Sequence, residues 1–174
     1  PAAAYGEVVD GGGTTFVLAT SYAGFNTGAV GEISNMTFTA GAGTDPDLLS
    51  PDETGTYQLV ASFSVSSQNA NRTITAAASV NGTVDTNTEV QRSFSSTNSS
   101  GSFSITQLLS LTAGDEVGIE VKTDTTPTTL DIDNISFNLT SITNGSAGSA
   151  GTPAAPNESV HFNNIFTCSV CLNP

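Results

Sequence analysis

Apolar and polar residues alternate with a period of two through the middle of this 174-residue chain, and that period dictates strands. Tyr57, Leu59, Ala61, Phe63 and Val65 share one parity, with Gln58, Val60, Ser62 and Ser64 on the other. Ile74, Ala76, Ala78 and Val80 form a second run, stopped by the turn pair Asn81-Gly82. A third, mostly polar strand is expected around Val90 and Phe94, before the Ser/Asn/Gly cluster from Ser95 to Gly101. Phe103, Ile105, Leu109 and Leu111 make a fourth, with polar Gln107 interrupting the series, and Val117, Ile119 and Val121 a fifth. Leu130 and Ile132 then have even parity, whereas Ile135, Phe137 and Leu139 have odd parity. That switch predicts a bulge or a bend across Asp133-Asn134.

Earlier segments are less regular: Glu7 to Val9, Thr15 to Ala19, Gly31 to Ala40 and Leu48-Leu49. Together they predict about eight to ten short strands, at the spacing of a sandwich or barrel. No convincing helix is found, because a mixture rich in Thr, Ser, Gly and Asn is short of straight-chain helix formers. The fold class is therefore all-β, an antiparallel β-sandwich.

Charge limits the partners. Sixteen acids against three bases (Arg72, Arg92 and Lys122) leave a formal net charge of −13, while only 11% of residues are charged. Nucleic acid and anionic membrane surfaces both draw affinity from Lys and Arg, so neither is an expected partner. No apolar run approaches the ~20 residues needed to span a bilayer. Pro1 fits a product whose initiator Met has been removed, as in an unsecreted protein.

Composition divides the chain. Residues 1–143 read as the sandwich head, with 1–40 the less regular part and a candidate N-terminal arm. Residues 144–158, NGSAGSAGTPAAPNE, lack periodicity and read as a linker. Residues 159–174 are apolar again, with Val160, Phe162, Ile165, Phe166, Val170 and Leu172 as candidate docking residues. An exposed apolar tail is an aggregation hazard, so it is expected to dock, along its own domain or onto a neighbour or larger assembly.

Candidates for chemistry are few. His161 is the only His, and an extended tail would separate it from Cys168, so a Cys-His or Ser-His site has little to build on. Chance carboxylate pairs are easy to find, but the chain has no Trp and three Tyr, too few aromatic platforms for a sugar-processing cleft. Cys168 and Cys171 have C-x-x-C spacing without the helix N-terminus of a redox site. A disulfide, zinc shared with His161, or two small buried residues remain open. The acid clusters Asp45/Asp47, Asp52/Glu53 and Asp131/Asp133 are candidate Ca²⁺ ligands or solvated loop carboxylates, and none has EF-hand spacing. No cofactor is called for. Eight Asn-x-Ser/Thr triplets occur, in a chain with 48 Ser and Thr residues.

Gly55-Thr56-Tyr57-Gln58-Leu59, and later Leu111-Thr112-Ala113-Gly114-Asp115-Glu116-Val117-Gly118-Ile119-Glu120-Val121, resemble the tumour-necrosis-factor/complement-C1q-like jelly roll. That family has a G-x-Y opening an inner strand and an L-x-x-G-D-x-V hairpin late in the domain, then a final apolar strand, here Ile135 to Leu139. Gly55, Tyr57, Gly114 and Asp115 carry the likeness, over roughly Ile33 to Ile142. The resemblance implies a jelly-roll sandwich that assembles as a homotrimer, and its members include secreted ligands, spore-surface and filament tips, and phage structural domains. Few aromatic residues, no collagen-like stalk and an apolar tail suit a microbial or viral module better than an animal ligand. The expectation is a non-enzymatic virion protein: a trimeric capsid decoration (cement) or fibre-head protein of a bacteriophage, on the particle surface. It would be tied by its tail to the major capsid or another particle protein. The alternative is a receptor- or glycan-binding tip of a viral fibre or microbial filament.

Overall fold

The computed structural model describes residues 3–26 and 28–142. The linker 144–158 and the tail 159–174, with Val160, His161, Phe162, Ile165, Phe166, Cys168, Val170, Cys171 and Leu172, lie outside the described residues.

Among the described residues, thirteen strands follow in chain order: β1 (Tyr5–Asp10), β2 (Thr14–Leu18), β3 (Ala23–Gly24), β4 (Ala29–Ser34), β5 (Met36–Thr39), β6 (Leu48–Pro51), β7 (Gly55–Ser67), β8 (Arg72–Val80), β9 (Thr83–Val84), β10 (Val90–Phe94), β11 (Ser99–Leu111), β12 (Val117–Thr123) and β13 (Thr128–Ser141). The described helical structure is one short 3-10 turn, Thr86–Thr88. One sheet runs β11-β7-β13-β1-β4, with β2 also beside β13. The other runs β10-β8-β12-β6-β5, with β3 beside β12 and β9 beside β8. Every pairing is antiparallel. The chain is an antiparallel jelly-roll β-sandwich.

The period-two residues meet between the sheets. Tyr57, Leu59, Ala61, Phe63 and Val65 of β7 face Ile74, Ala76 and Ala78 of β8 and Val117, Ile119 and Val121 of β12, all buried. A run of rings crosses this core: Phe16 stacks on Phe25 at 5.6 Å, Phe25 meets Phe63 at 5.5 Å, and Phe63 meets Phe103 edge-on at 6.3 Å. Gln107 continues the inward series of β11, half-buried between Ile105 and Leu109.

The parity switch in β13 is a register shift between Ile132 and Asn134. Before it β13 pairs with β2, and after it with β1, so one strand serves two short partners end to end. Gly12, at φ +97°, turns the chain from β1 to β2 here, and a Cβ on it would run into the Asp133 carbonyl. Gly31 to Ala40 divides at Asn35 (φ +51°), which sends β4 to one sheet and β5 to the other. The segment Tyr5–Thr39 thus supplies strands to both sheets.

Gly55 opens β7 opposite Leu111. Tyr57 is buried, and its hydroxyl donates to the Glu53 carbonyl at 2.8 Å. Gly114, at φ +86°, makes the turn before β12. Asp115 holds that turn by accepting from the Thr112 N–H at 2.7 Å and from Asn81 at 2.9 Å. These bonds keep the Asp115 carboxyl below its ordinary range, the Asn81 bond foremost.

Candidate subunit interface

The outward face of the β11-β7-β13-β1 sheet stands apart in its chemistry. Directly paired residues line up in rows across it: Leu108–Gln58–Thr140–Tyr5, then Thr106–Val60–Asn138–Glu7, then Ser104–Ser62–Ser136–Val9. Of these residues only Glu7 is charged. Neither β7 nor β11, each thirteen residues long, contains an Asp, Glu, Lys, Arg or His. On a chain of net charge −13, two long strands without charge are a surface that another copy could approach with little like-charge repulsion.

Three large side chains stand out of this face. Leu108 is 58% exposed, and Val60 and Tyr5 are each 38% exposed. Ile142, where the described chain leaves β13, lies beside them, its N–H donating to the Thr56 carbonyl. Around them the face is Ser, Thr, Asn and Gln, so it is neutral rather than broadly apolar. β11 is also an edge strand of its sheet. A long, flat edge without Lys, Glu or Pro invites strand pairing unless something covers it.

The outward face of the other sheet differs. Glu120 and Lys122 project from β12, and Lys122 Nζ lies 3.3 Å from Glu89 and 4.1 Å from the centre of the Tyr22 ring. The Tyr22 hydroxyl donates to Glu89 at 2.5 Å. Burial, then this bond and the charges of Glu89 and Glu120, push the Tyr22 hydroxyl far above its ordinary value. The Tyr22 and Lys122 hydrogen bonds pull the Glu89 carboxyl down. A cleft of about 470 Å³ lies alongside, lined by Thr20, Thr75, Gln91, Lys122 and Asp124. A second, of about 360 Å³, lies among Thr39, Ala42, Asp45, Pro46, Leu48 and Glu116.

Of the candidate calcium ligands, Asp47 is buried and accepts the Gly41 and Gly28 N–H groups, each at 2.8 Å. Asp131 accepts from Gln68 at 2.8 Å and from Thr15 at 2.9 Å. These two carboxylates are occupied by donors of the chain itself. Among the described residues no cluster of three or more His, Cys, Asp or Glu side chains could hold a metal ion. Asn35, Asn71, Asn81 and Asn98, each first in an Asn-x-Ser/Thr triplet, all have positive φ. Turn geometry accounts for those asparagines, since Asn tolerates the left-handed region best after Gly.

No family model matches the chain, and no curated protein matches it in sequence. Solved structures do match. One is Eiger TNF from S. frugiperda, with a TM-score of 0.57 and 13% identity over 80% of this chain and 92% of that one. The fold is the tumour-necrosis-factor/C1q-like jelly roll. The globular domain of zebrafish complement 1qA protein is similar at a TM-score of 0.49 and 20% identity, over 80% of this chain and 97% of that one.

Leu108, Val60, Tyr5 and Glu7 had no part in the sequence-level site. Ser-rich alternation reads as an ordinary solvated face. The signal that would have found them is the absence of charge from two long strands of an acidic chain.

Proposed function

We propose that this protein is a non-enzymatic structural subunit that assembles as a homotrimer, with the neutral face of the β11-β7-β13-β1 sheet buried between subunits. The observation that carries this reading is that face itself: without charge along β7 and β11, with Glu7 and Asp131 as carboxylates on β1 and β13, bearing exposed Leu108, Val60 and Tyr5, and ending at the 13-residue edge strand β11. A jelly roll of the tumour-necrosis-factor/C1q-like kind supports three-fold association.

The apolar residues 159–174, reached through the linker 144–158, tie the trimer to a larger particle. That particle is a virion, with the chain as a capsid decoration or fibre-head protein on its surface, and the major capsid or another particle protein as partner. Three arms per trimer raise the effective concentration of each at the particle, so modest contacts per arm suffice. An acidic exterior keeps particles apart in solution.

Removing Ser159–Pro174 tests the attachment. The shortened chain is expected to remain trimeric and to be absent from purified particles, where the full chain is found in multiples of three. A shortened chain recovered in particles at undiminished copy number overturns the attachment reading.

A further inference from the structure

The chain has three cations, and one is already neutralised, since Lys122 is paired with Glu89. The other two, Arg72 and Arg92, sit together. β10 pairs with β8 so that Arg92 stands opposite Ile74 and Phe94 opposite Arg72. The two arginines, Arg92 on the edge strand β10 and Arg72 on its neighbour β8, are therefore diagonal neighbours on the inward-facing side of the sheet, flanking the buried Phe94 ring. Arg92 reaches across the open side of the sandwich to β11, its Nε 2.8 Å from where a Cβ on Gly101 would stand. Only glycine leaves that passage open. Arg72 donates through Nη1 to the carbonyls of Ala70 and Asn71, at 3.1 and 3.2 Å, and its Nε is buried without a partner. Neither guanidinium meets a carboxylate among the described residues. In a chain with sixteen acids that is an unusual omission.

The matching omission lies on the neutral face. Glu7 lies across Gly31 of β4 and takes no hydrogen bond or cation from the described residues, whereas Asp131, also on this face, accepts from Gln68 and Thr15. A three-fold assembly is heterologous: the patch that one subunit presents meets a different patch on the next. The neutral face must then pack against another surface, and that surface has to answer Glu7 with a positive charge. The β10/β11 side wall, carrying Arg72 and Arg92, provides it.

Resting on the homotrimer reading, we infer that the partner of the Arg72/Arg92 side wall is a second copy of this chain, whose Glu7 carboxylate the Arg92 guanidinium binds across the subunit boundary. Guanidinium and carboxylate make a bidentate, charge-assisted pair. Desolvated among the Ser, Thr and Asn side chains of the neutral face, that pair fixes which edge meets which face. It selects a head-to-tail ring over a face-to-face dimer, which would bring two Glu7 carboxylates together.

Charge exchange in the full chain tests the pairing. R92E and E7R are each expected to sediment as monomers with the strand signature of the wild type in far-UV circular dichroism. R92E combined with E7R is expected to recover the trimer. R92Q covers the case in which R92E fails to fold, and is expected to weaken the trimer at least tenfold. The inference is overturned by a trimer unaffected by R92E or R92Q, a trimer unaffected by E7R, or a double variant that stays monomeric. A wild-type chain that is itself a monomer would remove the homotrimer reading instead, so the two failures are distinguishable.

Discussion

Asp47 shows how one residue can stabilise a loop at a cost that depends on pH. It is 4% exposed, and each of its oxygens accepts one backbone N–H, from Gly41 and from Gly28. Its own N–H donates to the Phe25 carbonyl, so three chain segments meet at this side chain. Asp47→Ala leaves both N–H groups without an acceptor and is expected to cost about 1–3 kcal/mol in chemical denaturation. Burial pushes the Asp47 carboxyl above its ordinary range, the two N–H bonds pull it back, and Asp10 adds a smaller upward push. A raised carboxyl pKa means that the folded chain holds the proton more tightly than the unfolded one. The resulting stabilisation is full in acid, below the ordinary carboxylate range, and is lost as the pH rises through the raised value. Asp47→Asn removes that dependence, so the variant should fall further below wild type in melting temperature at pH 4 than at pH 7. An equal gap at both pH values contradicts this assignment. Phe63 is simpler. Buried in the middle of the ring series, it should cost about 3–5 kcal/mol on truncation to Ala.

At the scale of elements, the strands fall into two groups. β7, β8, β11, β12 and β13 could be read from the sequence because each has one face in the core, and their period survives for five or more residues. The bulge in β13 was equally legible, since Ile132 and Ile135 must both point inward. β3 and β9 were not, because two residues cannot show a period. Gly31–Ala40 reads as one irregular strand, and only backbone geometry shows Asn35 dividing it between two sheets. The candidate interface was hidden for another reason. Ser62, Ser64, Ser102 and Ser104 look the same whether they face water or a partner, and pairing across β11, β7, β13 and β1 is needed to bring Leu108, Val60 and Tyr5 onto one surface. That surface predicts its own disruption. Leu108→Glu and Val60→Glu add a carboxylate at exposed positions, so each is expected to fold as wild type does while lowering trimer affinity by at least tenfold in sedimentation. Thr37→Glu on β5, in the opposite sheet and away from this face, is the control and should leave the mass unchanged.

For the whole molecule, the central quantity is the distribution of a net charge of −13. Most of the acids lie in turns and loops; of those within strands, Glu7, Asp10, Glu32, Asp131 and Asp133 belong to β1, β4 and β13, Glu120 to β12, and β7 and β11 carry none. A monomer would have no need of such a division. The proposed homotrimer does, because each copy would have to approach two others that are equally acidic. The same division bears on the tail, where only Glu158 breaks the neutrality between Asn144 and Pro174. The acidic head and the neutral face describe one design, in which repulsion faces outward and contact is confined to chosen surfaces. The direct measurement is the mass of the full-length chain in solution by light scattering at micromolar concentration and physiological salt. Three chain masses, unchanged on tenfold dilution, is the predicted result. A single chain mass, or a dimer, would contradict it.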